Sequence, residues 1–166
     1  AGACQAKSTS DRCRSYPDIT TSQEYMLKQG SSRQYDHHFR IGGVKISLDG
    51  SPQGKTAWLT QAYKISPEGK DKNYKGYPAI KDDQQVDQYI NVAFKHGWQV
   101  LAHANGDAAI DQFIGAVKDA TANQGKVDRR SVLIHSQTIR DDQLDQLKAL
   151  DIIPSFFSLH AYYWGD

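Results

Sequence analysis

Two histidines stand at the ends of short apolar stretches and are of a residue type that binds metal ions. His103 ends the run Gln-Val-Leu-Ala-His, and His135 ends the run Ser-Val-Leu-Ile-His. Short apolar runs followed by turn residues are typical of parallel strands, which carry side chains to the rim of an α/β sheet. In each run a leucine stands two residues earlier, so Leu101 and His103 share a strand face, as do Leu133 and His135. Two histidines at one height on successive strands predict metal ligands, although spacing alone gives equal weight to two hydrogen-bonded histidines buried in a sheet.

A lysine stands in a third short run, Val-Lys-Ile-Ser-Leu, which begins at Val44. Its alternation of apolar and polar residues predicts a strand with one face of each kind, and Lys45 lies on the polar face. That face belongs either to a solvated edge strand or to the interior of a catalytic barrel. Inside a barrel the lysine needs a partner for its charge, for which Asp49 is one candidate.

Helices are predicted between these runs from apolar residues at helical spacing. One starts at Asp82 or Asp83, the next has Asp107 as its N-cap, and a third starts near Asp141. The third helix is expected to bury its leucines, which are Leu144, Leu147 and Leu150. A last strand is predicted over 152–157. Repeated strand–helix alternation favours a parallel sheet with right-handed crossovers.

The fold class predicted from this order is α/β, as a partial (β/α)₈ TIM barrel. A complete barrel needs about 250 residues, so the 166 residues here should supply roughly four strand–helix units. We expect a poorly patterned segment over 1–42, with one short helix over 21–28, and the partial barrel over 43–166. The long connection over 51–81 carries aromatic residues that either line a substrate pocket or form the loop's own small core. They are Trp58, Tyr63, Tyr74 and Tyr77.

Composition excludes several classes of partner. Lys and Arg number 20 and Asp and Glu number 19, so no basic surface predicts nucleic acid or an anionic membrane as a partner. The first residues do not form a signal peptide, which leaves a cytoplasmic or a periplasmic location open. Cys4 and Cys13 match no zinc module and form either one local disulfide or two free thiols. Because the chain does not begin with methionine, we expect it to be processed or excised from a longer protein.

Four motifs follow one another along the chain. From Val44 it reads Val-Lys-Ile-Ser-Leu-Asp-Gly-Ser with Lys-Thr-Ala downstream, and from His103 it reads His-Ala-Asn-Gly-Asp-Ala-Ala-Ile. From Ile134 it reads Ile-His-Ser-Gln, and from Pro154 it reads Pro-Ser-Phe-Phe, followed by His160 and Tyr-Trp-Gly-Asp. Together and in this order the motifs resemble the third amidohydrolase family, which includes N-substituted formamide deformylase-like metal-dependent hydrolases.

The resemblance implies a barrel hydrolase that uses one or two divalent ions, with zinc expected, to cleave a C–N bond other than a peptide bond in a small amide-type substrate. It implies that His103 and His135 bind metal, that Lys45 is carboxylated and bridges two ions, and that His160 contacts the substrate or transition state as a catalytic residue. Neutral imidazole is a good zinc ligand, and carboxylation gives a lysine the anionic oxygens that bridge cations.

Two parts of the family's pattern are absent from this chain. No two histidines are spaced as His-x-His, and the aspartate of the family's last strand would lie beyond Asp166. The chain therefore holds at most three of the usual ligands, and we expect it to be inactive alone. The alternative function is a non-catalytic half-barrel for binding or assembly. Half a barrel also leaves two sheet edges and an apolar inner face exposed, which predicts self-association.

Overall fold

The computed structural model describes residues 12–164, without the side chains at 160, 161 and 164. In chain order its elements are β1 (Cys13–Ser15), α1 (Ile19–Gln29), β2 (Phe39–Ile41), β3 (Gly43–Ser47), α2 (Asp83–Lys95), β4 (Gln99–Ala104), α3 (Asp107–Gln124), β5 (Val132–His135), α4 (Asp141–Ala149), β6 (Ile153–Phe156) and α5 (Leu159–Trp164). The predicted order of strand, long loop, helix, strand, helix, strand, helix, strand is confirmed from β3 to β6.

The main sheet contains four parallel strands in the order β3-β4-β5-β6. One face is covered by helices, and the side chains beneath them have no exposed surface, including Val44, Ile46, Val100, Ala102 and Leu133. The other face, here called the open face, carries partly exposed residues at the alternate positions. The alternation predicted for β3 therefore separates a helix-covered face from an open face of one sheet.

The two long helices pack against the sheet and each other through their apolar stripes. Val86 and Ile90 of α2 and Ile110 and Phe113 of α3 are fully buried. The α2 helix begins at Asp83, as predicted, and the carboxylate of Asp82 caps it by accepting a hydrogen bond from the Gln84 amide at 3.0 Å. Both helices contact β4, which lies between them in the chain, and so they fix the position of this strand and of the loop that follows it.

Two predictions about helix positions are wrong. The N-cap of α3 is Gly106, and Asp107 is the first helical residue. In α4, Leu147 is buried, but Leu144 is 38% exposed and Leu150 is partly buried. The reason lies in Gln143, whose buried amide donates to the Asp107 carbonyl and the Asp111 carboxylate, both at 2.7 Å. Gln143 and Leu147 therefore define the buried stripe of α4, which turns Leu144 outward.

The long connection between β3 and α2 forms a small core of its own. The rings of Tyr63 and Tyr74 stack at 5.9 Å. Their hydroxyl groups donate to the carbonyls of Ala57 and Lys55 at 2.9 and 2.8 Å. For these two tyrosines the loop-core alternative holds, because each is partly buried and its hydroxyl finds a partner within the loop. Trp58 instead packs against the main core.

Residues ahead of β3 contribute to the same core. Ile19 and Met26 of α1 have no exposed surface, and α1 extends the predicted helix at both ends. The Lys45 amide donates to the Pro17 carbonyl at 2.9 Å, which occupies part of the outer edge of β3. Cys13 is disulfide-bonded, so the disulfide alternative holds, while Cys4 lies outside the described residues. Within residues 12–164, no helix has the length and hydropathy to cross a membrane.

Candidate metal centre

The two predicted histidines lie together at the carboxyl ends of adjacent strands. The ring centroids of His103 and His135 are 4.8 Å apart, and the rings meet edge to face at 77°. The His103 side chain is 21% exposed, and His135 is also partly exposed. Both rings therefore reach solvent at the rim of the sheet, where parallel α/β sheets bind ligands.

The prediction of equal height and equivalent faces for the two strands is wrong. In the register His103 pairs with Ile134, and His135 pairs with Ala104, so His135 lies one residue further along. Leu133 is fully buried on the helix-covered face, whereas Leu101 lies on the open face. Simple alternation would place His135 on the covered face with Leu133.

A left-handed backbone at the end of β5 accounts for the meeting of the rings. His135 has φ of 77° and Ser136 has φ of 52°, values that residues other than glycine adopt uncommonly. This conformation ends the strand at His135 and coincides with its ring lying against His103. Ser136 is 2% exposed, and its amide donates to the Ala104 carbonyl at 3.1 Å, which fixes the turn. Strained backbone of this kind persists where the surrounding structure determines it, often at functional sites.

Three groups surround the Nε2 atom of His103. The Gly50 carbonyl oxygen and the Asn105 side-chain nitrogen each lie 3.2 Å away, and Oδ1 of Asp49 lies 3.7 Å away. The Asn105 amide nitrogen is itself oriented by donating to the Gly50 carbonyl at 2.8 Å. Two acceptor oxygens against one donor favour the tautomer that carries its proton on Nε2. The lone pair of Nδ1, the nitrogen that does not face these groups, then remains for a metal ion.

Asp49 contributes to this site in a way that sequence analysis did not foresee. Its side chain has no exposed surface, and its oxygens accept backbone hydrogen bonds from Asn105 at 2.9 Å, Gly106 at 2.7 Å and Trp58 at 3.0 Å. Burial raises the pKa of Asp49, while these hydrogen bonds and the nearby His103 act in the opposite direction. The Asp-Gly pair after a strand was the available signal, although it also reads as an ordinary turn.

Lys45 lies on the same open face of the sheet as His103. It pairs with Leu101 in the register, and Ser47, two residues further on, pairs with His103. Burial lowers the pKa of the Lys45 amine, and the negative charge of Asp18 partly opposes this effect. The charge that stabilises Lys45 is therefore that of Asp18 on the neighbouring segment, and Asp49 is instead engaged with backbone amides.

The remaining predicted residue, His160, belongs to α5, and its side chain lies outside the described part of the chain. Within that part, no group of three or more His, Cys, Asp or Glu residues could hold a metal ion. The two histidines fit a metal ion as neighbouring imidazole ligands with open access, but they provide only part of a coordination shell.

Comparison with known proteins assigns the chain to a family. A family model described as "Amidohydrolase family" matches residues 9–166. The chain belongs to the amidohydrolase family. This confirms the resemblance and extends it about 35 residues ahead of the first motif, into the segment of β1, α1 and β2.

Curated relatives of this amidohydrolase chain are much longer proteins. It is 28% identical over 123 residues to the putative amidohydrolase YtcJ of Bacillus subtilis (strain 168), covering 72% of this chain and 22% of that protein. It is 29% identical over 143 residues to the protein LONG AFTER FAR-RED 3 of Arabidopsis thaliana, covering 86% of this chain and 24% of the relative. The chain therefore spans less than a quarter of the curated relatives' length.

Solved structures confirm the α/β fold class. An uncharacterized metal-dependent hydrolase from Pyrococcus furiosus superposes with a TM-score of 0.70 at 24% identity, over 89% of this chain and 28% of that one. Another, from Pyrococcus horikoshii OT3, gives a TM-score of 0.65 at 25% identity, over 85% and 27%. The chain thus covers slightly more than a quarter of each of these two structures.

A second buried carboxylate of the amidohydrolase chain ties the long loop to the helices. Asp107 accepts hydrogen bonds from the Thr60 amide at 2.9 Å and from the Thr60 hydroxyl. Arg140 donates to Asp107 at 3.0 Å and also to Asp111 and Asp142. Burial raises the pKa of Asp107, but the bonds from Thr60 and Arg140 outweigh it and hold that pKa below its ordinary value. The sequence analysis interpreted Asp107 as a cap and missed this function.

Proposed function

We propose that this chain provides part of the metal centre of an amidohydrolase that hydrolyses a non-peptide C–N bond in a small amide-type substrate. The observation that carries the proposal is the pair of half-buried histidine rings, 4.8 Å apart at the carboxyl ends of β4 and β5. Membership of the amidohydrolase family and the likeness to metal-dependent hydrolases support it. Zinc is the metal that we propose, because imidazole is among its preferred ligands.

In this proposal the chain's residues orient the ligands. His103 would hold the ion through Nδ1, while its Nε2–H donates to the Gly50 carbonyl and so fixes the plane of the ring. His135 provides the second imidazole, which the left-handed backbone directs towards His103. A bound divalent ion polarises a substrate carbonyl and lowers the pKa of water to roughly 7.

We further propose that Lys45 becomes carboxylated. Burial lowers the pKa of its amine, which increases the neutral form that attacks carbon dioxide. The reaction joins the amine nitrogen to the carbon of CO₂ and releases one proton, which leaves an anionic carbamate with two oxygens. Lys45 lies on the open face beside Leu101, which is two residues before His103 on the neighbouring strand. This position is compatible with a ligand shared by two ions.

His160 remains our candidate for contact with the substrate or transition state. Two imidazoles and one modified lysine bind metal less tightly than a complete shell, so we propose that this length of chain is inactive alone.

The described residues also offer an assembly function, because apolar side chains at β6 and beyond are exposed. They are Ile153, Phe156, Phe157 and Leu159. On this basis we propose that the half-barrel self-associates.

The test of the metal centre is the zinc content of the purified chain, measured by inductively coupled plasma mass spectrometry after equilibration with zinc and gel filtration. We expect the wild type to retain zinc and the double variant His103→Ala/His135→Ala to lose it. The matched control is His37→Ala/His38→Ala, because both of these histidines are exposed and directly precede β2, which belongs to the separate two-stranded sheet. Equal retention by all three proteins, or by none, would refute the proposal.

Carboxylation has an independent readout. The wild type supplied with ¹³C-bicarbonate in the presence of zinc should give a carbamate carbon signal by NMR, and Lys45→Arg should not. Because the guanidinium stays protonated, arginine keeps the charge but cannot form the carbamate. A carbamate signal that persists in Lys45→Arg would assign the modification to another amine.

A further inference from the structure

One buried carboxylate joins the two loops that surround His103. Asp49 lies on the loop after β3, and it accepts backbone hydrogen bonds from Asn105 and Gly106 on the loop after β4. It also accepts the amide of Trp58, further along its own loop. Hydrogen bonds to an ionised acceptor are about twice as strong as neutral ones, so Asp49 links these segments strongly.

The same carboxylate faces the metal-binding histidine. Oδ1 of Asp49 accepts the Asn105 amide at 2.9 Å and lies 3.7 Å from Nε2 of His103. It has no exposed surface, so water screens little of its charge. A negative charge on this side of the ring favours a proton on Nε2 and leaves the lone pair on Nδ1.

We propose that Asp49 is a positioning residue of the metal centre, which selects the Nε2-protonated tautomer of His103 and fixes the loop that begins at Asn105. The predicted effect of Asp49 on metal affinity rests on the proposed function. The tautomer of His103 can be measured in the metal-free chain and does not depend on that function. Asp49 acts through His103 and its neighbours and does not touch the ion or the substrate.

Asp107 provides a matched control for this role. Counted over the whole residue, backbone included, Asp49 and Asp107 are each 7% exposed, and each accepts a backbone amide of the long loop, from Trp58 and Thr60 respectively. Only Asp49 faces His103. Asparagine at either position removes a buried charge and weakens the attachment of the same loop. A difference between the two variants in the His103 tautomer ratio or in zinc affinity therefore reflects the orientation of His103 rather than a loss of stability.

The first experiment measures the His103 tautomer in the metal-free 166-residue chain by long-range ¹H–¹⁵N NMR, about two pH units above the ordinary histidine pKa. We expect the Nε2–H form to dominate in the wild type and in Asp107→Asn, and its ratio to the other tautomer to fall by roughly threefold or more in Asp49→Asn. A wild type that is mainly Nδ1–H would overturn the proposal even if Asp49→Asn failed to fold.

The second experiment titrates each protein with zinc by calorimetry. We expect Asp49→Asn to weaken binding by about 10- to 100-fold, as loss of a partner behind a metal ligand does, and Asp107→Asn by less than about threefold. Equal affinity and an unchanged tautomer in Asp49→Asn would refute the role of Asp49 while the metal centre stood. A wild type that binds no zinc would refute the proposed function, and the tautomer ratio would still decide the role of Asp49.

Discussion

Replacing Gly106 with alanine should destabilise the chain more than a surface substitution, because the Trp58 backbone fills the space beside the Gly106 Cα atom. A Cβ atom there would overlap the Trp58 carbonyl group and lie 2.7 Å from the Trp58 nitrogen, whereas real Cβ atoms essentially never approach a heavy atom closer than 3.0 Å. Its φ of −78° suits any residue, so the cost is steric. The loop must therefore move away.

The magnitude follows from what that movement breaks. Crowding a packed site costs about 1–3 kcal/mol. The Trp58 and Gly106 amides both bind Oδ2 of Asp49, at 3.0 and 2.7 Å, and weakening either bond to a buried charge adds about 1.5–3 kcal/mol. We expect a loss of about 3–5 kcal/mol, a large share of the roughly 5–15 kcal/mol that stabilises a typical domain.

The assay is urea unfolding followed by circular dichroism, with Gly115→Ala as the control. Gly115 lies exposed within α3, and an added Cβ meets nothing within 4 Å. Alanine there should raise stability by about 0.5–1 kcal/mol, since glycine is unfavourable inside helices. If the free energy of unfolding of Gly106→Ala lies within about 0.5 kcal/mol of the wild-type value, the packing of the long loop against the turn after β4 is wrong.

Other consequences can be tested in solution. Because the pKa of Asp107 is lower in the folded chain than its ordinary value of 3.8, ionised Asp107 stabilises the fold above that value, and this stabilisation is lost as the pH falls through the lower folded pKa. Urea midpoints of the wild type should therefore decline below about pH 4 more steeply than those of Asp107→Asn. Leu147→Ala should cost about 2–5 kcal/mol in the same assay, and Leu144→Ala under about 1 kcal/mol, because only Leu147 is buried; equal losses would contradict the register of α4. Sedimentation velocity should detect self-association that Phe156→Ser weakens, whereas a wild-type monomer at high concentration would refute it.

Much of the fold could be predicted because local patterns and tertiary structure agree. Val44 and Ile46 alternate with polar residues in β3, and they are buried beneath helices while Lys45 faces the open side. The carboxylate of Asp82 caps α2 where the sequence places a helix start. Each of these features depends on neighbours within a few residues, which is the range over which a single sequence is informative.

The features that could not be predicted depend on distant residues. The face on which the His135 ring lies depends on the left-handed backbone at His135 and Ser136. Neither residue is a glycine or an asparagine, so the sequence does not indicate this conformation. The partners of Asp49 are backbone amides more than 50 residues away at Asn105 and Gly106. The register of α4 depends on Gln143, a polar residue that is buried because its amide binds Asp107 and Asp111. Hydrogen bonds to the backbone of distant residues cannot be recognised from the pattern of side chains along the sequence.

The most direct test of the metal centre is the crystal structure of the zinc-equilibrated chain, with anomalous diffraction data collected on both sides of the zinc absorption edge. We predict an anomalous peak within about 2.0–2.1 Å of Nδ1 of His103 and of one ring nitrogen of His135. A peak bound elsewhere, or no peak beside these two rings at saturating zinc, would contradict the assignment of this rim as a metal centre.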